Sequence, residues 1–597
     1  MHFVSFSVYH FGLQFNLPSR IMEGKNKMSE GKRMEKQDSL KPIVFERKRF
    51  DLDDIREMHT LYIENYPIVY ILHQNKETKS RPKAYIGQTV HVHNRMRDHL
   101  KNKARKELTD ALFIGHQTFN QSATFNIETN LINYFIADNQ FSLQNISQTA
   151  NLSMHNYYQK SLFDDDLFED IWESLRREGL AKETTDNLKN RDIYKLSPFK
   201  TLSEPQRALK ENILDYCKRV MQDIHQEKAV KKKVYVIHGE AGTGKSVILS
   251  SLFNTLQEEA RQSHSVLAGA KNFLLVNHSE MLKTYQQISE SLPYLKKKDF
   301  AKPTTFINNQ KIEEADIVLI DEGHLLLSQA DAYNNFHGEN QLDAIMDKAK
   351  VAVLIFDEKQ FLKVKSKWQA DDLKTILKKY DADEFHLTDQ FRMNASPAVM
   401  NWVNDFVGQK VTPLPPSDDH FEFKVFDDPT DFKNYIYQKN ADKGLSRIVS
   451  TFDFAHKKNG DVYLVDEAGI NLPWNTTNSK VTWSERPETI NEVGSIYTVQ
   501  GFDLNYVGIV LGPSIDYDFE TERLTIDPSK YQDTGGYSGA NRFASHKEAM
   551  AAKEQIILNS INVLMKRGIY GLAIYAVNDN LKRKLQDMRV EAMKDGI

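Results

Sequence analysis

A single cysteine, Cys217, stands in 597 residues. One thiol excludes an internal disulfide framework and any cysteine-rich zinc site. Its setting, "ILDYCKRV", has helical spacing, so the expected role is a small buried hydrophobe in a reducing cytosol. Long apolar runs are missing as well, and no segment reads as a membrane span. The first residues, "MHFVSFSVYHFGLQFNLPSRIMEG", are mildly apolar. They lack a basic leading region and are interrupted by His2, His10, Gln14 and Asn16, which argues against a secretory signal. The expected location is cytoplasmic. An excess of one charge sign is also absent: 78 Lys and Arg against 82 Asp and Glu give a formal net charge of −4. Binding to nucleic acid must therefore rest on local patches and not on the overall field. No internal repeat of solenoid period occurs.

Hydrophobic residues make up 40% of the chain and charged residues 27%, which is ordinary for a soluble globular protein. The length implies about three to five domains. Residues 1–60 are expected to be a disordered or loosely packed leader, with Met22, Met28 and Met34 as alternative starts. Residues 61–155 alternate short strands and helices. Residues 156–198 read as a helical linker, in which Phe163, Leu167, Phe168, Ile171, Trp172 and Leu175 fall on one helical face. Asp164, Asp165 and Asp166 read as negative charge at a helix N-terminus. Beyond residue 199 the apolar strands "VYVIHG", "FLLVNH", "IVLIDEG", "VAVLIF", "SRIVSTF", "YVGIVLG" and "GLAIYAV" are mostly separated by helices. Continuous apolar strands of this kind build parallel sheets covered on both faces. They are too many for one compact sheet, so two tandem α/β domains are expected, at 199–381 and 382–597.

The segment "GEAGTGKS", Gly239 to Ser246, follows an apolar strand and precedes the helical stretch "VILSSLFNTLQEEA". In that context it is a phosphate-binding loop. Gly239, Gly242, Thr243 and Gly244 let backbone N–H groups curl around phosphates at a helix N-terminus. Lys245 is placed to reach the β- and γ-phosphates, and Ser246 to hold Mg²⁺. Downstream, "ADIVLIDEGHLLL" ends a strand in Asp321 and Glu322, where ligands sit in α/β sheets. Asp321 suits the metal and Glu322 the attacking water.

Across about residues 199–579 the ordered motifs resemble those of superfamily 1 helicases, and specifically the Schlafen-type helicase-like domains of bacterial proteins. The resemblance implies two RecA-like domains that use ATP and Mg²⁺ and act on nucleic acid. "LSEPQRALKENI" puts Gln206 in the place of an adenine-reading glutamine. "FLLVNHSEMLKTY" is similar to a motif that touches single strands. "LIFDEKQ" brings Asp357 and Gln360, and "GSIYTVQGFDLNYVGIVLG" brings Gln500, Gly501 and Asp503, as residues coupling the nucleotide to strand movement. "LTDQFRMN" gives Arg392 as a γ-phosphate arginine, and "NVLMKRGIYGLAIYAV" gives Arg567 as a second one. "LPYLKKKDFAKP" offers Lys296, Lys297 and Lys298 beside Tyr294 as a phosphate-tracking loop or a plain solvated charge run. Trp474 and Trp483 read as core or hairpin residues before base-stacking ones.

Near the N-terminus, "YPIVYIL" and "AYIGQT" read as a hairpin, followed by the helical stretch "VHNRMRDHLK". Later, "FNIETNLINYFI" presents Glu128 on a helix and "FSLQNISQ" presents Asn145. This order resembles the GIY-YIG nucleases: Tyr70 and Tyr85 on two strands, Arg95 and His99 on a helix, then Glu128 and Asn145. Ile68 stands where the first motif has glycine, a position that supplies no catalytic group. The resemblance implies a small α+β domain cutting phosphodiesters with one Mg²⁺ or Mn²⁺ on Glu128. Arg95 would stabilise the phosphate, Tyr70 or His99 would serve as or assist the base, and Tyr85 would orient water or phosphate. Arg81, Lys83, Arg97, Lys101, Lys103, Arg105 and Lys106 add a cationic field suited to a phosphate backbone.

Together these features describe an ATP-dependent nuclease with a helicase or translocase motor. DNA is favoured over RNA, and such a fusion fits defence against foreign DNA or repair. Two rival readings fit the same motifs: an ATP-gated binding switch with an inactive head, and a scaffold that holds nucleotide structurally.

Overall fold

The computed structural model describes residues 42–75, 81–145, 160–164, 166–226, 231–239, 243–357, 360–366, 370–387, 393–456, 462–465, 470–476, 481–540, 543 and 545–594. Among these, no helix is long and apolar enough to cross a membrane.

The N-terminal unit is a mixed sheet of strands β1 (Val44–Arg49), β2 (Ile68–His73), β3 (Lys83–Thr89), β4 (Asp110–Gly115) and β5 (Ser142–Leu143), in the order β1-β4-β2-β3-β5. β2 pairs antiparallel with both β3 and β4, β1 pairs antiparallel with β4, and only the edge pair β3–β5 is parallel. Alternation along β2 sends Ile68, Tyr70 and Leu72 to one face, against Val92 and Met96 of the helix Val92–Lys101. It sends Val69 and Ile71 to the other face, against the helix Gln121–Asp138. Part of the expected leader belongs to this unit: β1 closes one edge, and Phe50, Ile55 and Met58 are buried. The charged run "VFERKR" masked an edge strand, because an edge needs apolar residues on one face only.

The supposed linker is a packed layer. The helices Lys160–Asp164, Asp166–Arg177, Thr185–Asn190 and Asp192–Lys195 cover the outer side of Gln121–Asp138. They share one continuous core with the head and the first motor sheet, from Val69 through Phe135 and Trp172 to Leu252 and Leu319. Buried polar bonds fix the junction. Asn133 Nδ2 donates to the Phe199 carbonyl (3.1 Å) and its Oδ1 accepts from Ser197 Oγ (2.6 Å). The Asp138 carboxylate accepts from the backbone N–H groups of Lys182 (3.1 Å) and Glu183 (2.9 Å), and Ser250 Oγ donates to Leu196 O (2.7 Å). Cys217 lies fully buried in the same core.

The first motor sheet contains β6 (Lys233–Gly239), β7 (Asn272–Val276), β8 (Phe300–Ala301), β9 (Ala315–Asp321), β10 (Ala349–Phe356) and β11 (Asp381–Leu387), all parallel, in the order β11-β6-β10-β9-β7-β8. The division expected after Asp381 falls instead beyond Leu387, because β11 pairs along its whole length with β6. "DADEFHL" is too polar to be recognised as a strand, since it is an edge with one solvated face. The second sheet holds β12 (Glu422–Phe426), β13 (Ser446–Ser450), β16 (Val493–Gly494), β17 (Leu504–Leu511) and β20 (Gly568–Ala576), again all parallel, in the order β12-β20-β17-β13-β16. Two small antiparallel pairs accompany it, β14 (Leu464–Val465) with β15 (Leu472–Pro473), and β18 (Ile515–Asp518) with β19 (Arg523–Ile526). Trp474 and Trp483 are buried core residues of this second domain.

The helical layer also reaches the second sheet. Glu485 Oε1 accepts from Asp192 N (2.5 Å), Thr482 Oγ1 donates to Asp192 Oδ2 (3.1 Å), and Lys195 Nζ donates to Asp503 O (3.0 Å). Burial, then the Glu485 charge, push the Asp192 carboxyl above its ordinary range, and burial raises Glu485 as well. An acid raised on folding favours the folded state while protonated and loses that contribution as pH rises through its folded pKa. Asp192→Asn keeps an acceptor for Thr482 and removes the like charge. It should raise the midpoint of thermal unfolding by about 2–4 °C at pH 8 and by little at pH 4, as followed by calorimetry.

Candidate active sites

The first site lies between the two motor sheets. β6 delivers Gly239 to the mouth of the phosphate loop, and Lys245 opens the helix Lys245–Glu259. Gly244 has φ +76°, and a Cβ there would stand 2.3 Å from Gln206 Nε2, so only glycine fits. Gln206 locks the loop from outside: its side chain accepts from Ser203 N (3.0 Å) and donates to Thr243 O (3.2 Å). Lys245 Nζ bends onto Gly239 O (2.7 Å) and Thr243 Oγ1 (3.4 Å), acceptors that phosphate oxygens would replace. Gly242 and Arg392 lie outside the described residues.

β9 ends in the buried Asp321. Ser246 Oγ donates to Asp321 Oδ1 (3.2 Å) and Tyr285 OH donates to Oδ2 (2.7 Å). Glu322 follows in a left-handed conformation, φ +50°, a strained state of a kind that collects at functional sites. Its Oε2 is 2.9 Å from His324 Nε2, which in turn lies 3.2 Å from Gln500 Nε2 of the second domain. Burial, then the charge of Glu322, push the Asp321 carboxyl up. Burial would raise Glu322 too, but His324, Lys245 and Arg567 outweigh it and hold this carboxyl below its ordinary range.

Arg567 is 1% exposed and donates to Val563 O (2.9 Å) and Phe502 O (3.0 Å), while its charge still reaches Glu322. Gln500 and Gln360 were expected to couple the nucleotide to strand movement; Gln500 meets His324 beside Glu322, and Gln360 bonds Asp357. Gly501, φ +84°, lets the second sheet approach the first, since a Cβ would stand 2.4 Å from Met281 Sδ. Tyr285 and His324 are functional candidates that the motifs alone did not single out. His324 had a legible signal, a histidine two residues after paired acids. Tyr285 had none, since only the packing of the helix Ser279–Ser291 aims its hydroxyl at Asp321.

The second site lies in the head. The Tyr70 hydroxyl is 2.8 Å from His99 Nε2 and accepts from Arg95 Nε at 3.1 Å. Tyr85 packs on His99, with ring centroids 4.9 Å apart, and Arg105 lies over the tyrosine ring, 3.9 Å from its centre. Burial, then Arg95 and Arg105, push His99 down to about 3, so the imidazole is neutral and accepts the Tyr70 proton. Burial keeps Tyr70 a phenol. Glu128 is half-buried and has no hydrogen bond or ion pair among the described residues; burial raises it to about 7 against the pull of Arg95.

Tyr70 faces Gly87 across the hairpin. A Cβ at Gly87 would stand 2.4 Å from the Tyr70 oxygen, so the glycine makes room for the hydroxyl. Ile68 is buried in the apolar cluster that also holds Tyr70, Val92 and Met96 and supplies no polar group to the site. Asn145 was expected in the catalytic set. Its amide instead accepts from Ile86 N (3.1 Å) and donates to Ile86 O (2.8 Å), so it is a positioning residue for β3. Lys296, Lys297 and Lys298 are exposed, and one face of Tyr294 is covered by Arg261, 4.4 Å away.

Two parallel α/β sheets that close on a phosphate loop, a carboxylate pair and a buried arginine define a helicase-like ATPase of the nucleic-acid-processing kind. The family model described as "Schlafen group 3, DNA/RNA helicase domain" matches residues 232–578, more than half of the chain, and the chain belongs to that family. It is 38% identical over 417 residues to the uncharacterized protein YPL245W of Saccharomyces cerevisiae (strain ATCC 204508 / S288c), spanning 64% of this chain and 90% of the yeast protein. That relative is fungal, whereas the motif resemblance is to domains of bacterial proteins. The solved structure of Pif1 helicase from Candida albicans aligns with 66% of this chain and all of its own at 11% identity and a TM-score of 0.28, a value that says nothing about activity.

The donors at the motor site fit MgATP: the Ser246 hydroxyl and Asp321 carboxylate for the cation, and Lys245 with the loop for phosphates. Mg²⁺ when bound supplies charge neutralisation on the β- and γ-oxygens. Tyr285→Phe deletes a hydrogen bond to a buried carboxylate, so the Mg²⁺ concentration for half-maximal ATP hydrolysis should rise on the order of tenfold, more at pH 6 than at pH 8. A magnesium titration of ATPase rate at both pH values measures this. Gly87→Ala should displace Tyr70 from His99 and destabilise the protein by about 1–3 kcal/mol, read by chemical denaturation of the full chain.

Proposed function

We propose that the chain is an ATP-driven nucleic-acid motor carrying a GIY-YIG-type endonuclease head, with DNA favoured over RNA as substrate. The observation that supports the head's role best is the Tyr70 hydroxyl held between Arg95 and neutral His99. Arg95 Nε holds the tyrosine oxygen while His99 takes its hydrogen, so the pair Tyr70–His99 is set to relieve an attacking water of its proton. Arg95 is exposed, so its remaining N–H groups can meet a phosphate and stabilise the charge that builds on it. Tyr85, in contact with His99 and Arg105, orients that phosphate. Glu128 is the carboxylate available for a divalent cation, Mg²⁺ or Mn²⁺, whose role when bound is to stabilise the developing negative charge.

In the motor, Glu322 polarises the water that attacks the γ-phosphate, and His324 and Gln500 tie that carboxylate to the second sheet. Hydrolysis then alters how the two sheets sit, and a bound strand is drawn along. The helicase-family match over residues 232–578 supports the motor. An enzyme so built fits repair or defence against foreign DNA.

The test combines two assays on the full chain. ATP hydrolysis should be stimulated by single-stranded DNA and should fall at least about a hundredfold in Lys245→Ala. Magnesium-dependent cleavage of labelled single-stranded, duplex and branched DNA and RNA should fall by about 10²–10³ in Glu128→Ala. Equal cleavage by wild type and Glu128→Ala would sink the nuclease assignment. ATP turnover indifferent to nucleic acid would sink the motor.

A further inference from the structure

Of the cations around the head pocket, Arg81, Lys83, Arg97, Lys101, Lys103 and Lys106 are exposed or half-buried. Arg105 alone is buried, at 7% exposure. Its backbone sits in the tight turn Lys103–Arg105, whose start is capped by Asn102 Oδ1 accepting from Ala104 N (2.9 Å). The chain then closes through Leu108 N donating to Arg105 O (3.0 Å). The guanidinium is clamped: its plane lies over Tyr85, and Nη1 donates to Gln144 Oε1 (2.6 Å) and Gln144 O (3.4 Å).

No carboxylate forms an ion pair with Arg105 or Arg95 among the described residues, and Arg105 Nε is buried without an acceptor. The two arginines repel each other, and both lower His99. A buried, preorganised cation with an idle donor beside a second cation is costly unless an anion joins them. Planar guanidinium groups are suited to phosphate oxygens in this geometry.

We propose that Arg105 is a second phosphate-binding residue of the head, which with Arg95 flanks one phosphate of a nucleic-acid strand. In taking that phosphate to belong to a strand, the assignment rests on the nuclease reading. It differs from an electrostatic surface contact because Arg105 is buried, bonded to Gln144 and set over the Tyr85 ring.

The experiment uses crystals of the full chain soaked in sodium tungstate, a phosphate mimic located by its anomalous scattering, with the phosphate loop around Lys245 as an internal reference. Tungstate within hydrogen-bond distance of both Arg95 and Arg105, and lost from the head but not from the loop in Arg105→Met, is the expected result. Tungstate on the loop alone, or on Arg95 alone, overturns it. In solution, Arg105→Met should raise KM for an oligonucleotide more than it lowers kcat, and should reduce the slope of log KM against log salt by about 1. Arg105→Lys, which keeps the charge, should restore the slope. Unchanged KM and slope in both variants overturns Arg105 and leaves the nuclease reading standing. A wild type that cuts no substrate while tungstate bridges both arginines removes the nuclease reading and leaves the phosphate site.

Discussion

Two carboxylates buried side by side at the end of one strand are the constraint around which the motor is arranged. Asp321 and Glu322 cannot both carry full charge in a dry cleft unless cations and donors surround them. Tyr285, Ser246 and the backbone N–H of Glu322 serve the first, while His324, Lys245 and Arg567 serve the second. Lys245 and Ser246 come from the phosphate loop, Tyr285 from a neighbouring helix and Arg567 from the other sheet. The nucleotide is therefore the object that completes a charge arrangement already half built, and the approach of the second sheet is part of that completion.

The sequence made some of this legible and hid the rest for physical reasons. The phosphate loop and the strand-ending acids could be read because their chemistry is local: a few adjacent residues carry the whole function. The order of Tyr70, Tyr85, Arg95 and His99 could be read because each sits on a short element of clear periodicity, and Glu128 because it follows them in the expected order. Asn145 could not be placed, because whether an amide faces a substrate or a backbone depends on a strand pair 59 residues apart in sequence. The edge strands β1 and β11 were hidden by their charge. The helical layer looked like a linker because half of its apolar face is paired with Gln121–Asp138, a helix so widely buried that it shows little amphipathic pattern of its own.

That layer gives the molecule its unity. It lies against the head through Asn133 and Asp138, against the first sheet through Ser250, and against the second through Asp192, Lys195 and Asn190. The family match spans the two sheets and leaves the head and this layer outside it. The contacts to the first sheet run through a shared apolar core, whereas those to the second are a few polar bonds around an acid pair. The two seams thus differ in kind: one is an apolar core and the other a set of polar bonds around an acid pair.

The shared core has a metrical consequence. A head on a flexible tether samples many positions relative to its partner domain. Here the pocket containing Tyr70 and Arg105 is fused through buried side chains to the sheet that bears the phosphate loop. The span between the head and the phosphate loop is therefore set by the fold; on the reading proposed above, it would act as a gauge that fixes how many nucleotides separate the motor from the head.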